Sequence, residues 1–140
     1  MVELSARERA RAESFEPRFW RRAEDADEKQ GRWFESLLNE PNAAAFVSGP
    51  PEATTGYVIA MLVDAPPVYA PEGKTCMIDD YEYATPHDGH LLREAVEAWA
   101  IDHGAVQTVV VAPREEAERR ALLEAAGFHV VSEWWLRPLP

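Results

Sequence analysis

From Tyr81 to Ala100 the chain reads YEYATPHDGHLLREAVEAWA. A half-alternating, strand-like run enters, and Leu91, Leu92, Ala95, Val96 and Trp99 leave in the three- and four-residue steps of a helix. Only a short polar turn separates the two. A strand that feeds straight into a helix brings the unpaired amides of the first helical turn to the strand's end, an arrangement suited to anions. The turn has one glycine, Gly89, together with His87, Asp88 and His90, and no Arg or Lys. His87 and His90 would supply two metal ligands, with Asp88 orienting one ring. A metal needs three or four converging ligands, and His103 and His129 stand alone in the sequence, so no metal is assigned.

Around this segment the pattern predicts the order α-α-β-β-β-α-β-α-β. Ser5 followed by Glu8 has the form of a capping box and predicts a helix from about Ala6 to Ser14. A second helical region opens at Pro17 and runs to Leu38, with Gly31 as a break. The runs AAAFVS, YVIAMLVDA and KTCMIDDYEYA read as three successive strands. A helix then runs from about Gly89 to His103, closed by Gly104 as a left-handed cap. VQTVVVA is an uninterrupted β-branched run of the kind expected in the middle of a sheet. REEAERRALLEAAG is a last helix with a Gly stop, and FHVVSEWWLR a final strand. Three strands followed by alternating helix and strand indicate an α/β or α+β mixed sheet flanked by helices.

With 140 residues, nearly half of them apolar, the expectation is one domain over 1–140, residues 1–16 being an N-terminal helical extension. A net charge of -11 argues against nucleic acid as a partner, because phosphates would be repelled, and suits a cationic amine. The basic stretch RERARAESFEPRFWRR is interleaved with Glu and reads as a solvated helix face. No apolar run is long enough for a membrane span, and MVELSARERARAES lacks the apolar core of a signal peptide, which makes the cytoplasm the expected location. The single cysteine, Cys76, lies inside a strand-like run and reads as a small buried hydrophobe.

The layout and several phrases resemble the GNAT acetyltransferase superfamily from about Pro17 onward. FVSGPPEATTGYVIAMLV is similar to that family's second and third strands, IDDYEYA to its fourth, EAVEAWAIDHGA to the helix after the pyrophosphate loop, and ALLEAAGF to the helix before its last strands. The resemblance implies a GNAT-like, mainly antiparallel sheet whose fourth strand and following helix splay around acetyl-CoA. It also implies a pyrophosphate loop of the form Gln/Arg-x-x-Gly-x-Gly/Ala, a carboxylate base near the fourth strand, and a Tyr in the last helix that protonates the departing thiolate.

Several family positions carry other residues. Aligned from EAVEAWA, Gly89 takes the place of the loop's last Gly, His87 that of the middle Gly and Ala84 that of the Gln or Arg. Asp88 is added beside the expected phosphates, where like-charge repulsion costs on the order of 1 kcal/mol. Leu123 stands where the Tyr is frequent, and Glu116 where an Asn is common. The family's first strand is replaced by the charged N-terminal helix. On this reading the cofactor contacts, if acetyl-CoA binds, fall to Tyr83, Ala84, His87, Asp88, Gly89 and His90, and the base to Asp80 or Glu82. Alternation places Asp80 and Glu82 on one face of the strand and Asp79, Tyr81 and Tyr83 on the other. Pairing of those acids with Arg or Lys is the competing reading.

A sheet short of a strand has an open edge, and Trp134 and Trp135 near that edge suggest a homodimer interface through the C-terminal strand. The expected function is a GNAT-fold binding or regulatory module, dimeric, that has lost ordinary acetyl-CoA-dependent transfer. The alternative is an atypical N-acetyltransferase acting on a primary amine.

Overall fold

The computed structural model describes residues 1–139. Two helices come first, α1 (Val2–Phe15) and α2 (Ala26–Leu37), then strands β1 (Ala43–Ser48), β2 (Gly56–Val63) and β3 (Lys74–Tyr83). Helix α3 (Pro86–Asp102), strand β4 (Ala105–Val110) and helix α4 (Ala117–Ala125) complete the described elements. The sheet has the order β1-β2-β3-β4, antiparallel through β3, with β4 added parallel to β3 after the α3 crossover. This is the mixed α+β sheet anticipated from the sequence. No helix among the described residues is long and apolar enough to cross a membrane.

Strict alternation along β2 builds two cores. Val58, Ala60 and Leu62 point to one face and meet Cys76 and Ile78 of β3 and Leu92, Val96 and Ala100 of α3. Tyr57 and Ile59 point to the other and meet Leu4 of α1 and Phe34 and Leu37 of α2. The fully buried Cys76 fills the first core as a small hydrophobe, and burial pushes its thiol up to about 11.

Four details depart from the sequence reading. α1 begins at Val2, so Ser5 is not an N-cap. It is buried inside the helix, where its hydroxyl donates to Asp80, 3.4 Å away, and accepts from Arg9. α2 begins only at Ala26 and runs unbroken through Gly31. The stretch from Glu16 to Asp25 folds back instead, held by Glu13, which accepts from the Arg22 amide at 3.2 Å. β4 lies at the edge of the sheet, not in its middle. Residues 128–139 form no strand, and the order ends at α4.

The glycine stops are as expected. Gly104 and Gly127 have φ of 83° and 89°, the left-handed region that ends α3 and α4.

The β2 core positions carry the fold's stability. Ile59→Ala should cost roughly 2–4 kcal/mol in chemical denaturation, whereas the exposed Leu38→Ala should stay within about 0.5 kcal/mol.

Candidate functional site

β3 carries a bulge at Asp79: Ile59 faces Asp80, while the next residue of β2, Ala60, faces Ile78. Simple alternation from Cys76 and Ile78 would drive Asp80 and Glu82 into the apolar core beneath α3. The extra residue reverses the faces beyond it. Asp80 and Glu82 therefore turn toward α1 and α2, and Tyr81 and Tyr83 pack against the α3 core. Asp79 does not share the tyrosines' face as expected. It is exposed at the bulge and borders the same pocket as Asp80.

β4 pairs with β3 only from Lys74↔Ala105 to Ile78↔Val110, and beyond that point the two parallel strands diverge. The gap is filled by charge. Arg119 of α4, buried, lies over the Tyr81 ring at 4.2 Å and donates to Glu82 at 3.0 Å and to the Tyr81 carbonyl at 3.5 Å. It also pairs with the buried Glu116 at 2.9 Å, while Arg11 of α1 bonds both Glu82 and Glu116. Two guanidinium and two carboxylate groups thus close the divergence and join α1, β3 and α4. Glu82 is fixed by these two arginines, which is the pairing weighed in the sequence. Arg11 and Arg9 accordingly reach inward: Arg9 pairs with Asp27 at 2.7 Å with a side chain only 18% exposed, so this part of the basic stretch is not a solvated face.

Asp80 is held differently. It accepts from the Tyr57 hydroxyl, from Gln30 Nε2 at 2.6 Å and from Ser5. Burial raises its pKa against the lowering effect of the Tyr57 hydrogen bond and the Arg9 charge. A pocket of about 200 Å³ opens beside it, bordered by Glu8, Asp79, Gln30, Trp20 and Trp33. Burial and the charges of Asp80 and Glu116 push the Glu8 carboxyl up to about 7, against Arg119 and Arg11, which lower it.

On the other face a cleft of about 310 Å³ lies between α3 and α4, walled by Val58, Leu92, Leu122 and Leu123 with Tyr81 and Tyr83 at its base. The Tyr81 hydroxyl is buried there without a hydrogen-bond partner among the described residues. Leu123 presents no proton donor to this cleft.

The start of α3 uses its own anion. Thr85 is the N-cap and accepts from the Asp88 amide at 3.1 Å, while Asp88 accepts from the hydroxyls of Thr85 at 2.7 Å and Thr55 at 3.1 Å. These donors hold the Asp88 carboxyl below the usual carboxylate range. Pro86 has no N–H and the Asp88 amide is taken, so the amides of Thr85 and His87 are the free ones at the helix start among the described residues. The Ala84 amide donates to the Thr55 carbonyl at 2.8 Å, extending the β2–β3 pairing.

Gly89 lies within α3, and a Cβ there would meet the Tyr83 ring at 2.9 Å. The missing side chain therefore seats Tyr83. His87 is exposed and His90 contacts Arg93 and Glu94 on the helix surface. The sequence thus brings Asp80 and Glu82 to one face and the Tyr83–His90 segment to the helix start. It did not single out Glu8, Arg11 or Arg119 as site residues, because no short-range spacing connects them with β3.

No protein-family model matches the chain, and no curated protein sequence matches it. Solved structures do share its fold. A variant of BH1408 from Bacillus halodurans superposes with a TM-score of 0.82 at 16% identity, covering 99% of this chain and 91% of that one. A Pyrococcus furiosus protein assigned as an acetyl transferase gives 0.69 at 22% identity, over 98% and 92% of the two chains. The aminoglycoside N-acetyltransferase AAC(6')-Iy in complex with CoA gives 0.65 at 14% identity, over 81% and 87%. The chain therefore has the fold of the GNAT acetyltransferases.

Two substitutions test the site. Arg119→Met leaves Glu82 and Glu116 with Arg11 alone and should cost about 3–5 kcal/mol in urea unfolding. Glu8 takes up its proton near pH 7 when folded, against an ordinary value of 4.5. The folded state then holds more protons than the unfolded between those values, so stability falls as pH rises through that window. Glu8→Gln removes this loss. For a half-buried group it should gain on the order of 1 kcal/mol, about 4 °C in thermal midpoint at about pH 8, and nothing at about pH 4.

Proposed function

We propose that this chain is a GNAT-fold protein that has given up ordinary acetyl-CoA-dependent transfer and serves as a binding or regulatory module. The observation that carries this reading is the occupied N-terminus of α3. Asp88 places a carboxylate, held below the usual range by its hydroxyl donors, against the helix start, and Thr85 takes one of its amides. A pyrophosphate approaching this turn would meet a carboxylate and only the amides of Thr85 and His87, where charge-assisted donors are needed. The closed strand divergence supports the same reading. Arg119 and Glu82 fill the gap between β3 and β4, and Leu123 offers no proton at the position where the family's Tyr is frequent.

A second reading, an atypical N-acetyltransferase moving acetyl from acetyl-CoA to a primary amine, draws on one observation. The apolar cleft and the acidic, Trp-bordered pocket lie on opposite faces of the sheet near the same divergence. A thioester in the first and an amine in the second would need Arg119 to leave the gap between them. Asp80 would be the base in that case, since Glu82 is tied to two arginines.

Calorimetry and thermal shift with acetyl-CoA separate the two. A bound cofactor stabilises by about 2.7 kcal/mol at a hundredfold excess over its dissociation constant. The expected result is no shift and no heat of binding at millimolar acetyl-CoA, and a saturable shift would overturn the proposal.

A further inference from the structure

The cleft between α3 and α4 has at its base one buried polar group that the chain leaves unpaired. The Tyr81 hydroxyl has no hydrogen-bond partner among the described residues. Such a group forfeits the hydrogen bond it would make in water, and in a folded protein it calls for an explanation. Burial raises the Tyr81 pKa above its ordinary value of 10.0, against the lowering effect of Arg119, so at neutral pH the hydroxyl keeps a proton to donate. Arg119 lies over the ring at 4.2 Å, and the Tyr83 ring stands 6.2 Å away, tilted by 33°. These contacts hold the ring, and with it the position of the donor.

The charged groups of the cleft already have counter-ions. Arg119 pairs with Glu82 and Glu116, Arg93 with Glu97 at 2.7 Å, and His90 faces Glu94 at 3.3 Å. The walls, Val58, Leu92, Leu122 and Leu123, are apolar. An ionic ligand would therefore enter without an unmatched partner, which is costly away from water. The volume of about 310 Å³ takes on the order of ten atoms the size of a water molecule, the lower end of the range for ligand cavities.

We infer that this cleft takes a small uncharged carbonyl compound, its aryl or alkyl body against the leucines and its carbonyl oxygen accepting from the Tyr81 hydroxyl. The inference rests on the reading of the chain as a binding module without ordinary acetyl-CoA transfer, and adds to it the class of ligand. An acceptor is what the hydroxyl is missing, and an apolar body is what the walls fit. A hydrocarbon would leave the hydroxyl unpaired. A carboxylate would bring an unmatched negative charge toward Glu82 and Glu116, whose arginines are already engaged.

Methyl NMR titrations of the full chain with acetophenone, ethylbenzene and benzoate test this, since the three share a ring and differ in the group offered to Tyr81. Acetophenone should shift the methyls of Leu92, Leu122 and Leu123 saturably, with a dissociation constant at or below about 1 mM. Ethylbenzene and benzoate should each bind roughly tenfold more weakly. Tyr81→Phe should bind acetophenone no better than ethylbenzene, with its ethylbenzene affinity within about twofold of wild type. The wild-type comparison of the three probes decides the matter even where that variant does not fold. Equal affinity for acetophenone and ethylbenzene, or benzoate binding as tightly as acetophenone, would overturn the inference. So would shifts that gather at the pocket beside Asp80. Acetyl-CoA is titrated in parallel. Saturable acetyl-CoA binding would remove the module reading and this inference with it, whereas a chain that binds neither acetyl-CoA nor acetophenone would overturn this inference alone.

Discussion

The arrangement turns on one guanidinium set where two parallel strands come apart. β3 continues past the end of β4, and its free backbone and the acid Glu82 need partners there. Arg119 meets both needs, with its plane over Tyr81 and its nitrogens on Glu82, Glu116 and the Tyr81 carbonyl. A buried cation of this kind is tolerable only with matched anions and satisfied donors. Arg11 completes the neutral set from the opposite side of the chain's order, so the first and last helices are fixed through β3. The helix standing where the GNAT resemblance implies a first strand is therefore tied into the sheet's centre by charge as well as by Leu4.

The bulge at Asp79 makes that set available. Without it, the acids of β3 would share a face with Cys76 and Ile78 and would enter the apolar core formed with Leu92, Val96 and Ala100 of α3. One inserted residue sends acids to the arginine-bearing helix and tyrosines to the apolar one. The two cores then differ in character. Beneath α3 the packing is aliphatic and aromatic, and beneath α1 and α2 it contains a hydrogen-bonded acid, Asp80, with Tyr57, Gln30 and Ser5 around it.

Local chemistry was legible in the sequence, and long-range pairing was not. The buried β-branched run of β2, the helical stripe of α3 and the glycine stops at Gly104 and Gly127 depend on residues a few positions apart and form as read, although α3 starts at Pro86, ahead of the expected Gly89. Ser5 looked like a helix cap because Glu8 follows it. Its real partner, Asp80, is 75 residues away, and no spacing rule reaches that far. Arg11 and Glu82 are similarly 71 residues apart, so a stretch that reads as a solvated helix face is partly turned inward. β4 shows the opposite case. Its composition is that of an interior strand, yet among the described residues β4 lies at the edge with β3 as its one neighbour.

The same distinction decides how the Tyr81–Ala100 segment should be understood. Its frame, strand then turn then helix, is shared with folds that bind a pyrophosphate at the helix start. Physics fixes only that such a start attracts negative charge and needs its amides satisfied. Asp88 supplies the negative charge from within the chain, Thr85 takes the Asp88 amide, and Pro86 removes a donor that would otherwise be free, which leaves the amides of Thr85 and His87 open. Gly89, which in a phosphate cradle would admit the ligand's oxygens, here admits the ring of Tyr83. Asp88, Thr85 and Gly89 are thus each engaged by neighbours in the chain. An incoming anion would have to displace a carboxylate held by two hydroxyls, in a chain whose net charge of -11 opposes its approach.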